Sequence, residues 1–451
     1  MIASGDTIAA VATAPGDGGV AVIRISGEDA LSILNAAFRR RRGGAWQPMR
    51  LYYGHVLDAD GSVLDEAMAV YMRAPKTYTR EDVAEIHCHG GHVVTGRVLR
   101  RVLALGARPA GPGEFTRRAF LNGRIGLTEA EAVMQLIASG SEAAARASVR
   151  QLEGGVSGFV RRARERLIDL QAAIAAATDF PEEVDEAEAA RDVRARLIGI
   201  RDDVAARCDE RGARMVRDGV SVVLCGRPNA GKSSLLNALL AQEAAIVTDV
   251  PGTTRDVLTC QMRLEGLRLD LTDTAGQRDT CDAVEKIGVE RARAAEQRAD
   301  VALLVLDASG DCTAADAAWL NRADSRYILL LNKWDAADAA HRANWRSRCE
   351  RALPVSARTG EGLDALLSAL KTACRAAEPV EGAMTELRHI RAAGACVAAL
   401  ERAVDALDAG FPLDTAASDI REALDALGEI TGENLSESVI DEIFRNFCVG
   451  K

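Results

Sequence analysis

The order of hydrophobic and polar positions predicts short strands and helices in the first part of the chain. The stretch GGVAVIRISG, residues 18–27, is typical of a strand between glycines, and LDEAMAVYM, residues 64–72, continues the strand pattern. Residues 92–108, HVVTGRVLRRVLALGAR, have the spacing of an amphipathic helix that ends near Gly106. We therefore expect an α+β domain over residues 1–120.

A helical pattern begins at Leu127. Thr128 and Glu131 have the spacing of a capping box, which predicts a helix start, and alanine-rich amphipathic stretches follow to about Met215. Pro181 interrupts these stretches, because proline has no backbone N–H to donate inside a helix. Residues 121–218 are therefore predicted to form the first part of a helical domain.

Residues 219–375 change character again, since apolar runs of strand length alternate with helical stretches. The runs are SVVLC at 221–225, LRLDLTD at 267–273, VALLVLD at 301–307 and YILLLN at 327–332. This alternation predicts a parallel sheet covered by helices. The helical pattern returns after EPVEG, so the simplest arrangement inserts the α/β domain into one helical domain whose second part is 376–451. A separate C-terminal bundle is the alternative.

Composition narrows the class of protein. The chain has 451 residues, 48% hydrophobic and 27% charged, as in an ordinary globular protein of about three domains. The net charge of -10 excludes a protein that is basic overall. Residues 378–451 carry 15 acidic and 6 basic side chains, whereas arginines cluster in the N-terminal half, as at Arg39–Arg42. An RNA-facing surface, if there is one, is expected there; solvated arginine faces are an equally weighted alternative.

The cysteines and the N-terminus indicate a compartment. The ten cysteines form no Cys-x-x-Cys pair, so neither a zinc ribbon nor a disulfide framework is indicated. The first residues lack a basic region followed by a long apolar run, and no stretch reaches ~18 apolar residues, so we expect neither a signal peptide nor a membrane partner. A cytoplasmic protein fits these features.

Residues 221–240, SVVLCGRPNAGKSSLLNALL, have the order strand, loop, helix. Gly226, Gly231, Lys232 and Ser233 fit the phosphate-loop motif G-x-x-x-x-G-K-[ST] in that context. The glycines let backbone N–H groups surround phosphate oxygens, and the helix directs its positive N-terminus at them. We expect Lys232 to contact the β- and γ-phosphates and the Ser233 hydroxyl to ligate Mg²⁺.

Three further residues are predicted around the phosphates. Asp273 ends a predicted strand and is placed to hold Mg²⁺ through water, and Gly276 is placed to present an N–H to the γ-phosphate. Thr254 lies in IVTDVPGTTRD, residues 246–256, which we interpret as the first switch segment. Its hydroxyl is the expected second hydroxyl ligand of Mg²⁺.

Two later segments predict the base, NKWD at 332–335 and PVSARTG at 354–360. The Asp335 carboxylate can accept two N–H bonds from guanine, whereas adenine would leave it buried and unpaired. A backbone N–H of the second segment can meet guanine O6. GTP is therefore expected over ATP. The base-binding residues predicted here are Asn332, Lys333, Asp335, Ser356, Ala357 and Arg358.

These motifs and their neighbours resemble the MnmE (TrmE) family of tRNA-modification GTPases. The resemblance includes PGDGGVAVIRISG near the start, RPAGPGEFTRRAFLNGRIGLTEAEAV at the domain junction, DFPEE, and the terminal FCVGK. It runs over essentially the full chain. It implies a multidomain fold with an N-terminal α+β folate-binding-like domain, an α-helical domain and an inserted α/β P-loop GTPase domain.

The resemblance also implies an activity. Proteins of this family form homodimers through their N-terminal domains and hydrolyse GTP, activated by K⁺ and by pairing of two G domains. With the flavin-containing partner MnmG they form a heterotetramer. This complex builds an aminomethyl- or carboxymethylaminomethyl-type group at position five of the tRNA wobble uridine. The one-carbon donor is a tetrahydrofolate derivative, 5-formyl- or methylene-tetrahydrofolate.

The nucleotide site that the motifs and the resemblance together imply has three parts. Its phosphate-loop residues are Asn229, Ala230, Gly231, Lys232, Ser233 and Ser234. Its switch residues are Thr248, Asp249, Val250, Pro251, Gly252, Thr253, Thr254, Asp273, Thr274, Ala275 and Gly276. The base-binding residues above complete it. Within this set, the resemblance assigns K⁺ to Asn229, Thr248, Val250 and Thr253, and Mg²⁺ is expected on Ser233 and Thr254.

Folate contacts carried over from the family fall on Arg24, Glu85, Arg124 and Lys451. Ordinary surface pairing is the alternative for Arg24 and Glu85. Arg124 departs from the family pattern, which commonly has lysine there; arginine keeps the charge but changes the geometry. Cys448 matches the C-terminal cysteine of the family, for which a reactive and a structural role are both open.

Two side chains compete to orient the attacking water. Gln277 follows the Asp-x-x-Gly turn, where Ras-type switches carry a glutamine. The family instead assigns this role to the glutamate of D-x-V-E-x-x-G, which is Glu285 here. A carboxylate can accept a hydrogen bond from water directly or through a second water. We choose Glu285, with Gln277 as the alternative and an exposed helix-start carboxylate as the structural alternative.

Two other functions compete with this enzyme. A ribosome-assembly GTPase that binds rRNA shares the G-domain motifs, but it needs a basic module after the G domain, where this chain is acidic. A folate-binding scaffold that only holds GTP disagrees with the complete set of catalytic motifs. His87, His89 and His92 could together ligate zinc, although the family has no zinc there.

Overall fold

The computed structural model describes residues 5–180, 182, 185–242, 259–264, 266–273, 296–375 and 382–450. The chain divides into two compact units. The first comprises Met1–Ile137, Gln151–Ile200 and Ala395–Lys451, and the second comprises Ala138–Arg150 and Arg201–Gly394. Each unit contains one β-sheet and several helices.

The first unit is built on a seven-stranded sheet with the order β3-β4-β5-β6-β2-β1-β7. All neighbours in it pair antiparallel except β1 and β7, which are parallel. The strands are β1 Ile8–Val11, β2 Val20–Ser26, β3 Phe38–Arg40, β4 Arg50–Leu57, β5 Val63–Met72, β6 Val83–His89 and β7 Arg108–Pro109. The strands predicted over 18–27 and 64–72 are confirmed as β2 and β5.

One face of this sheet is buried. Ala21, Ile23 and Ile25 of β2 alternate into a core that also contains residues of the helices α1 (Ala30–Ala37) and α2 (His92–Ala104). The predicted amphipathic helix is thus α2. Because side chains alternate along a strand, Arg24 lies on the other face of the same strand.

Most of the remaining helices lie between residues 114 and 218 and after 386. They are α3 Glu114–Leu121, α4 Leu127–Ala138, α5 Glu142–Leu152, α6 Gly155–Asp179, α7 Glu186–Ala205, α8 Glu210–Asp218, α13 Leu387–Asp408, α14 Ala416–Thr431 and α15 Glu437–Arg445. Helix α6 packs against α14 within the first unit. It ends at Asp179, as the position of Pro181 predicts.

The predicted capping box at Thr128 is wrong. Helix α4 begins at Leu127, and the Ala130 N–H donates to the Gly126 carbonyl, so Thr128 already lies in the first helical turn. Its hydroxyl is buried and has no hydrogen-bond partner among the described residues. Gly126 takes the capping position instead, because glycine is accepted there with little cost.

The second unit contains a six-stranded sheet with the order β13-β12-β11-β8-β10-β9. The strands are β8 Val220–Cys225, β9 Thr259–Leu264, β10 Leu267–Asp273, β11 Val301–Asp307, β12 Tyr327–Asn332 and β13 Leu353–Pro354. The helices beside them include α9 Lys232–Gln242, α10 Ala314–Arg322, α11 Ala339–Arg348 and α12 Leu363–Arg375. All pairs are parallel except β9 with β10, so the predicted parallel sheet is confirmed and gains one antiparallel edge strand.

Burial explains why the parallel strands are apolar throughout. In β11, Leu303 and Val305 belong to the core on one face of the sheet, and Leu304 and Leu306 to the core on the other. A strand covered on both faces has no solvent side to mark with polar residues. The parallel strands end with Asp273, Asp307 and Asn332, which brings polar side chains to one edge of the sheet.

The sequence also predicts no membrane-spanning stretch and no disulfide framework. Within the described residues, no helix combines the length and the apolar character that crossing a membrane requires. Cysteines in these residues are free thiols. Cys225 lies buried in β8, and burial raises its pKa to about 12.

Candidate functional site

The phosphate loop joins β8 to the start of α9. Gly226 and Gly231 both have positive φ, 128° and 93°. A Cβ at Gly226 would collide with the Val305 carbonyl, and one at Gly231 with the side-chain amide of Asn332. Only glycine fits both the backbone conformation and the space. Asn229, between them, also has a positive φ of 63°.

Lys232 begins α9 and is buried inside the loop. Its ammonium donates hydrogen bonds to the carbonyls of Gly226 at 3.0 Å and Arg227 at 2.8 Å. Burial lowers the pKa of Lys232 below its ordinary value, against the opposing effect of Asp273. Because Lys232 is the first residue of α9, its side chain lies at the N-terminus of a helix, where phosphate oxygens are favoured.

Two predicted metal-site residues meet beside the loop. The Ser233 hydroxyl donates to Asp273 Oδ2 at 2.6 Å, although the two are 40 residues apart in sequence. Parallel pairing of β8 with β10 places Asp273 opposite Leu224, near the start of the loop. A hydroxyl and a buried carboxylate are the hard oxygen donors that Mg²⁺ prefers, so these residues fit the ion.

Asn332 connects the phosphate loop to the base motifs. Its amide donates to the Ala230 carbonyl at 2.8 Å, and its Oδ1 accepts the Ala357 N–H at 3.2 Å. Asn332 is 1% exposed at the end of β12. One buried amide thus holds the first and the last predicted motif in fixed positions.

Asp335 follows Asn332 by three residues, on the short 3₁₀ turn Trp334–Ala336. Its Oδ1 accepts the Ser356 hydroxyl at 2.7 Å, and Arg358 forms an ion pair with its Oδ2 at 2.5 Å. The Ser356 hydrogen bond, and then the Arg358 charge, lower the pKa of Asp335. The carboxylate is therefore kept ionised and able to accept N–H groups.

The sequence did not point to Asp307 and Asp316, which support the site. Asp307 accepts a hydrogen bond from the Lys333 ammonium at 2.6 Å. Lys333 has a left-handed backbone conformation, with φ 58°. Burial raises the pKa of Asp307, but hydrogen bonds from Lys333 and Ser309 outweigh it and hold the pKa below its usual value. Asp316 pairs with Arg227 of the phosphate loop at 2.8 Å. Thr313 and Asp316 form a capping box, and this spacing could have indicated Asp316 from the sequence.

Part of the predicted nucleotide site lies outside the described residues. This applies to the alternatives for water orientation, Glu285 and Gln277. It also applies to most of the predicted K⁺ and switch residues, namely Thr248, Asp249, Val250, Pro251, Gly252, Thr253, Thr254, Thr274, Ala275 and Gly276. Their roles stay predictions.

The predicted folate residues Arg24 and Glu85 meet on the N-terminal sheet. They occupy opposite positions on the antiparallel strands β2 and β6 and form an ion pair at 2.8 Å. Burial raises the pKa of Glu85, but His87 and Arg24 together hold it below its usual value. Arg24 also donates to the carbonyl of Gly450 at 3.5 Å, beside Lys451, which is outside the described residues.

The guanidinium groups of Arg124 and Arg24 both lie over the ring of Tyr78. The guanidinium carbon of Arg124 is 4.8 Å from the centre of the Tyr78 ring, and that of Arg24 is 5.8 Å from it. Arg124 also donates to the Tyr78 carbonyl at 2.9 Å. Arginine at this position is thus stacked on an aromatic face, an arrangement that favours its planar group over lysine.

The C-terminal segment is attached to the start of α3. The Gly113 N–H donates to the Cys448 carbonyl at 3.2 Å, and Pro112 forms a bridge with Val449. Phe447 and Phe444 pack with ring centres 5.1 Å apart and belong to a hydrophobic core that also contains Leu127 and Ala130. Cys448 itself is exposed.

Two of the three histidines suggested for zinc, His87 and His89, have separate carboxylate neighbours. His87 lies 3.3 Å from Glu85, and His89 lies 2.8 Å from Asp65. Across the part of the chain that is described, no group of three or more His, Cys, Asp or Glu side chains is placed to hold a metal ion.

A glycine-bent phosphate loop at a helix N-terminus, oxygen donors for Mg²⁺ and an aspartate placed for guanine define a P-loop GTP hydrolase. Two family models match this chain: the MnmE helical domain over residues 127–448 and the GTP-binding protein TrmE N-terminus over residues 7–124. The chain belongs to the MnmE (TrmE) family of tRNA modification GTPases.

Full-length relatives agree with the family models. The tRNA modification GTPase MnmE of Synechococcus sp. (strain JA-2-3B'a(2-13)) is 46% identical over 99% of this chain and 98% of its own. The proteins of the same description from Synechococcus sp. (strain JA-3-3Ab) and Roseiflexus castenholzii are 45% and 42% identical, each over 99% of this chain and 98% and 99% of their own. The predicted fold class, with an N-terminal α+β domain, a helical domain and a P-loop GTPase domain, is confirmed.

Proposed function

We propose that this GTP hydrolase is activated by K⁺ and acts with MnmG to modify the wobble uridine of certain tRNAs. The product carries an aminomethyl- or carboxymethylaminomethyl-type group at position five of the uridine, and a tetrahydrofolate derivative supplies the one-carbon unit. The observation that carries this proposal is the meeting of Lys232, Ser233, Asp273 and Asn332 in one site. The site stands in a chain whose full length matches curated tRNA modification GTPases.

Each residue has a proposed task. Lys232 and the N-terminus of α9 hold the phosphates, and Asp335 with the backbone of Ala357 selects guanine. Ser233 and Thr254 hold Mg²⁺, with Asp273 acting through water. When bound at these residues, Mg²⁺ and K⁺ would neutralise charge that develops on the phosphates. Asn229 with Thr248, Val250 and Thr253 would complete the K⁺ site.

The folate derivative is proposed to bind at Arg24, Glu85, Arg124 and Lys451. Arg24 and Arg124 lie over the Tyr78 ring, Glu85 pairs with Arg24, and the tail that carries Lys451 approaches Arg24 through Gly450. Cys448 is exposed on this tail, which favours a role near the reacting groups. We further propose a cytoplasmic homodimer that joins two copies of MnmG, with domains at 1–120, 121–218, 219–375 and 376–451.

A reconstituted reaction tests the proposal. The full chain, MnmG, GTP, a tetrahydrofolate derivative and unmodified tRNA are combined in KCl or in NaCl, and nucleosides are analysed by mass. We expect modification and faster GTP turnover in KCl. Removing residues 448–451 should abolish modification while GTP binding stays intact. Equal GTP turnover in both salts contradicts the K⁺ site, and full modification by the truncated chain contradicts the role of the tail.

A further inference from the structure

A second feature of the N-terminal sheet is a concentration of positive charge at one edge. Residues 30–57 contain five arginines and no aspartate or glutamate, in a chain whose net charge is -10. Arg39 and Arg40 lie in β3, the outermost strand, Arg41 and Arg42 follow it, and Arg50 opens the neighbouring β4. We call these five residues, with Trp46, Tyr52 and Tyr53, the arginine edge.

Aromatic rings fix one arginine of this edge. The guanidinium carbon of Arg40 is 4.7 Å from the centre of the Trp46 ring and 5.2 Å from that of Tyr52. The two rings meet edge to face at 5.0 Å. Arg40 also donates to the Gly44 carbonyl, while its Nη1 is buried without an acceptor among the described residues. The Arg40 guanidinium group is therefore held against two aromatic rings.

Two more guanidinium groups lie over aromatic rings. Arg50 is 5.5 Å from the Tyr52 ring centre, and Arg41 is 5.9 Å from the Tyr53 ring centre. Stacking orders a guanidinium group while leaving the N–H groups at its rim available for a second partner. Arg40 and Tyr52 lie on one side of the sheet and Arg41 and Tyr53 on the other, because strand side chains alternate.

None of the five arginines forms an ion pair with the carboxylates of the described residues, although Arg24, Arg108 and Arg118 in the same unit do. Glu66 of the adjacent strand β5 lies against His55, at 3.8 Å, and accepts a hydrogen bond from the Tyr53 hydroxyl. Charges on an edge strand also prevent strands of other molecules from pairing with it. Protection of an edge does not require the aromatic rings that are interleaved with these five arginines.

We propose that the arginine edge is a binding surface for RNA. Arg39, Arg41, Arg42 and Arg50 contact phosphates, and an aromatic face such as that of Tyr53, which is 43% exposed, stacks on an unpaired base. This inference rests on the proposed tRNA substrate and names the surface that holds it. An anionic membrane would also attract the charge, but the proposed substrate is already an RNA.

Binding of unmodified tRNA to the full chain tests this surface. Fluorescence anisotropy compares the wild type with Arg39→Gln/Arg41→Gln/Arg42→Gln/Arg50→Gln at several KCl concentrations. Losing four phosphate contacts should weaken binding at ~0.1 M salt by about 100-fold or more and reduce the slope of log affinity against log salt by about 3. Tyr53→Leu should weaken binding on the order of 10-fold and leave the slope unchanged.

A matched control removes the same charge elsewhere. Arg161, Arg162, Arg191 and Arg421 are exposed arginines on α6, α7 and α14, and the fourfold change of these to Gln should alter binding little. Thermal unfolding and GTP hydrolysis should be equal in all variants, which excludes misfolding. Equal losses in the two fourfold variants would mean that only total charge matters, and this overturns the inference.

Two further outcomes separate the inference from the proposed function. If the wild type binds tRNA and the arginine-edge variant binds it equally well, the inference is wrong and the proposed function stands. If the wild type binds no tRNA, the inference is wrong, whereas the proposed function is decided by the reconstituted reaction with MnmG. Binding to phosphatidylglycerol vesicles that the variant loses, together with unchanged tRNA binding, would assign the edge to a membrane and overturn the RNA surface.

Discussion

The Ser233 hydroxyl and the Asp273 carboxylate are joined by a 2.6 Å hydrogen bond across the edge of the second sheet. Ser233 belongs to the first turn of α9, and Asp273 is the last residue of β10. Neighbouring parallel strands that end together bring the two oxygens into one place. This pair is the part of the described nucleotide site that fits a divalent cation.

Replacing this carboxylate should weaken use of the metal ion. For Asp273→Asn we expect the Mg²⁺ concentration needed for half-maximal GTP hydrolysis to rise on the order of 10–100-fold, because an amide no longer carries the charge. Asp270→Asn is the matched control on the same strand, where the side chain pairs with Arg268 at 3.1 Å. Titration of GTP turnover with Mg²⁺ measures both; equal curves for the Asp273 variant and the wild type would contradict the metal assignment.

A methyl group at Gly231 should disrupt the phosphate loop. Alanine there meets the Asn332 amide and must adopt φ 93°, which is strained for any residue with a Cβ, so we expect a loss of about 1–3 kcal/mol in unfolding free energy. GTP binding should also be lost. Gly310→Ala is the control in the same unit, because a Cβ there meets nothing within 4 Å. Thermal unfolding and titration with a fluorescent GTP analogue test this, and similar behaviour of both variants would refute it.

The pairing of Glu85 should make stability depend on pH. The folded pKa of Glu85 lies below the ordinary 4.5, so its contribution is present above pH 4.5 and is lost as pH falls through the folded value. We expect Glu85→Gln to cost on the order of 1–2 kcal/mol at neutral pH, a difference that shrinks below pH 4.5. Exposed Glu28→Gln serves as control. Denaturant unfolding at pH 7 to 3.5 measures it, and a constant difference would show that ionisation is not involved.

Water orientation should depend on Glu285 rather than Gln277. We expect Glu285→Ala to slow single-turnover GTP hydrolysis at saturating K⁺ by on the order of 10²-fold or more, since it removes the group that accepts a hydrogen bond from the water. Gln277→Ala should retain most of the rate and serves as the control. GTP affinity should be unchanged in both. Loss of the chemical step in the Gln277 variant alone would reverse the assignment.

The sequence predicted most accurately the strands that are buried on both faces of the parallel sheet. The runs that became β8, β10, β11 and β12 are apolar because both faces of a parallel sheet are covered. The edge strand β9, Thr259–Leu264, went unpredicted although its polar and apolar residues alternate, which is the pattern of a strand with one covered face. The short strands β1, β3 and β7 have too few residues to show a period.

The site residues also divide into those that a sequence motif fixes and those that only the fold brings together. Motif spacing predicted Lys232, Ser233 and Asp335, because phosphate and guanine chemistry fix the residue type at each position. Asp307 was missed because its partner, Lys333, reaches it from a different strand end, a contact that depends on the fold. The capping prediction at Thr128 failed because glycine one residue before the helix can take the same position.

The central claim is that this chain uses GTP to modify the wobble uridine of tRNA. Its most direct test is mass analysis of tRNA nucleosides from cells that lack the protein, with wild-type and Ser233→Ala chains returned separately. We expect unmodified wobble uridine to accumulate, and only the wild-type chain to restore the aminomethyl-type group. Full wobble-uridine modification in the cells that lack the protein would contradict the claim.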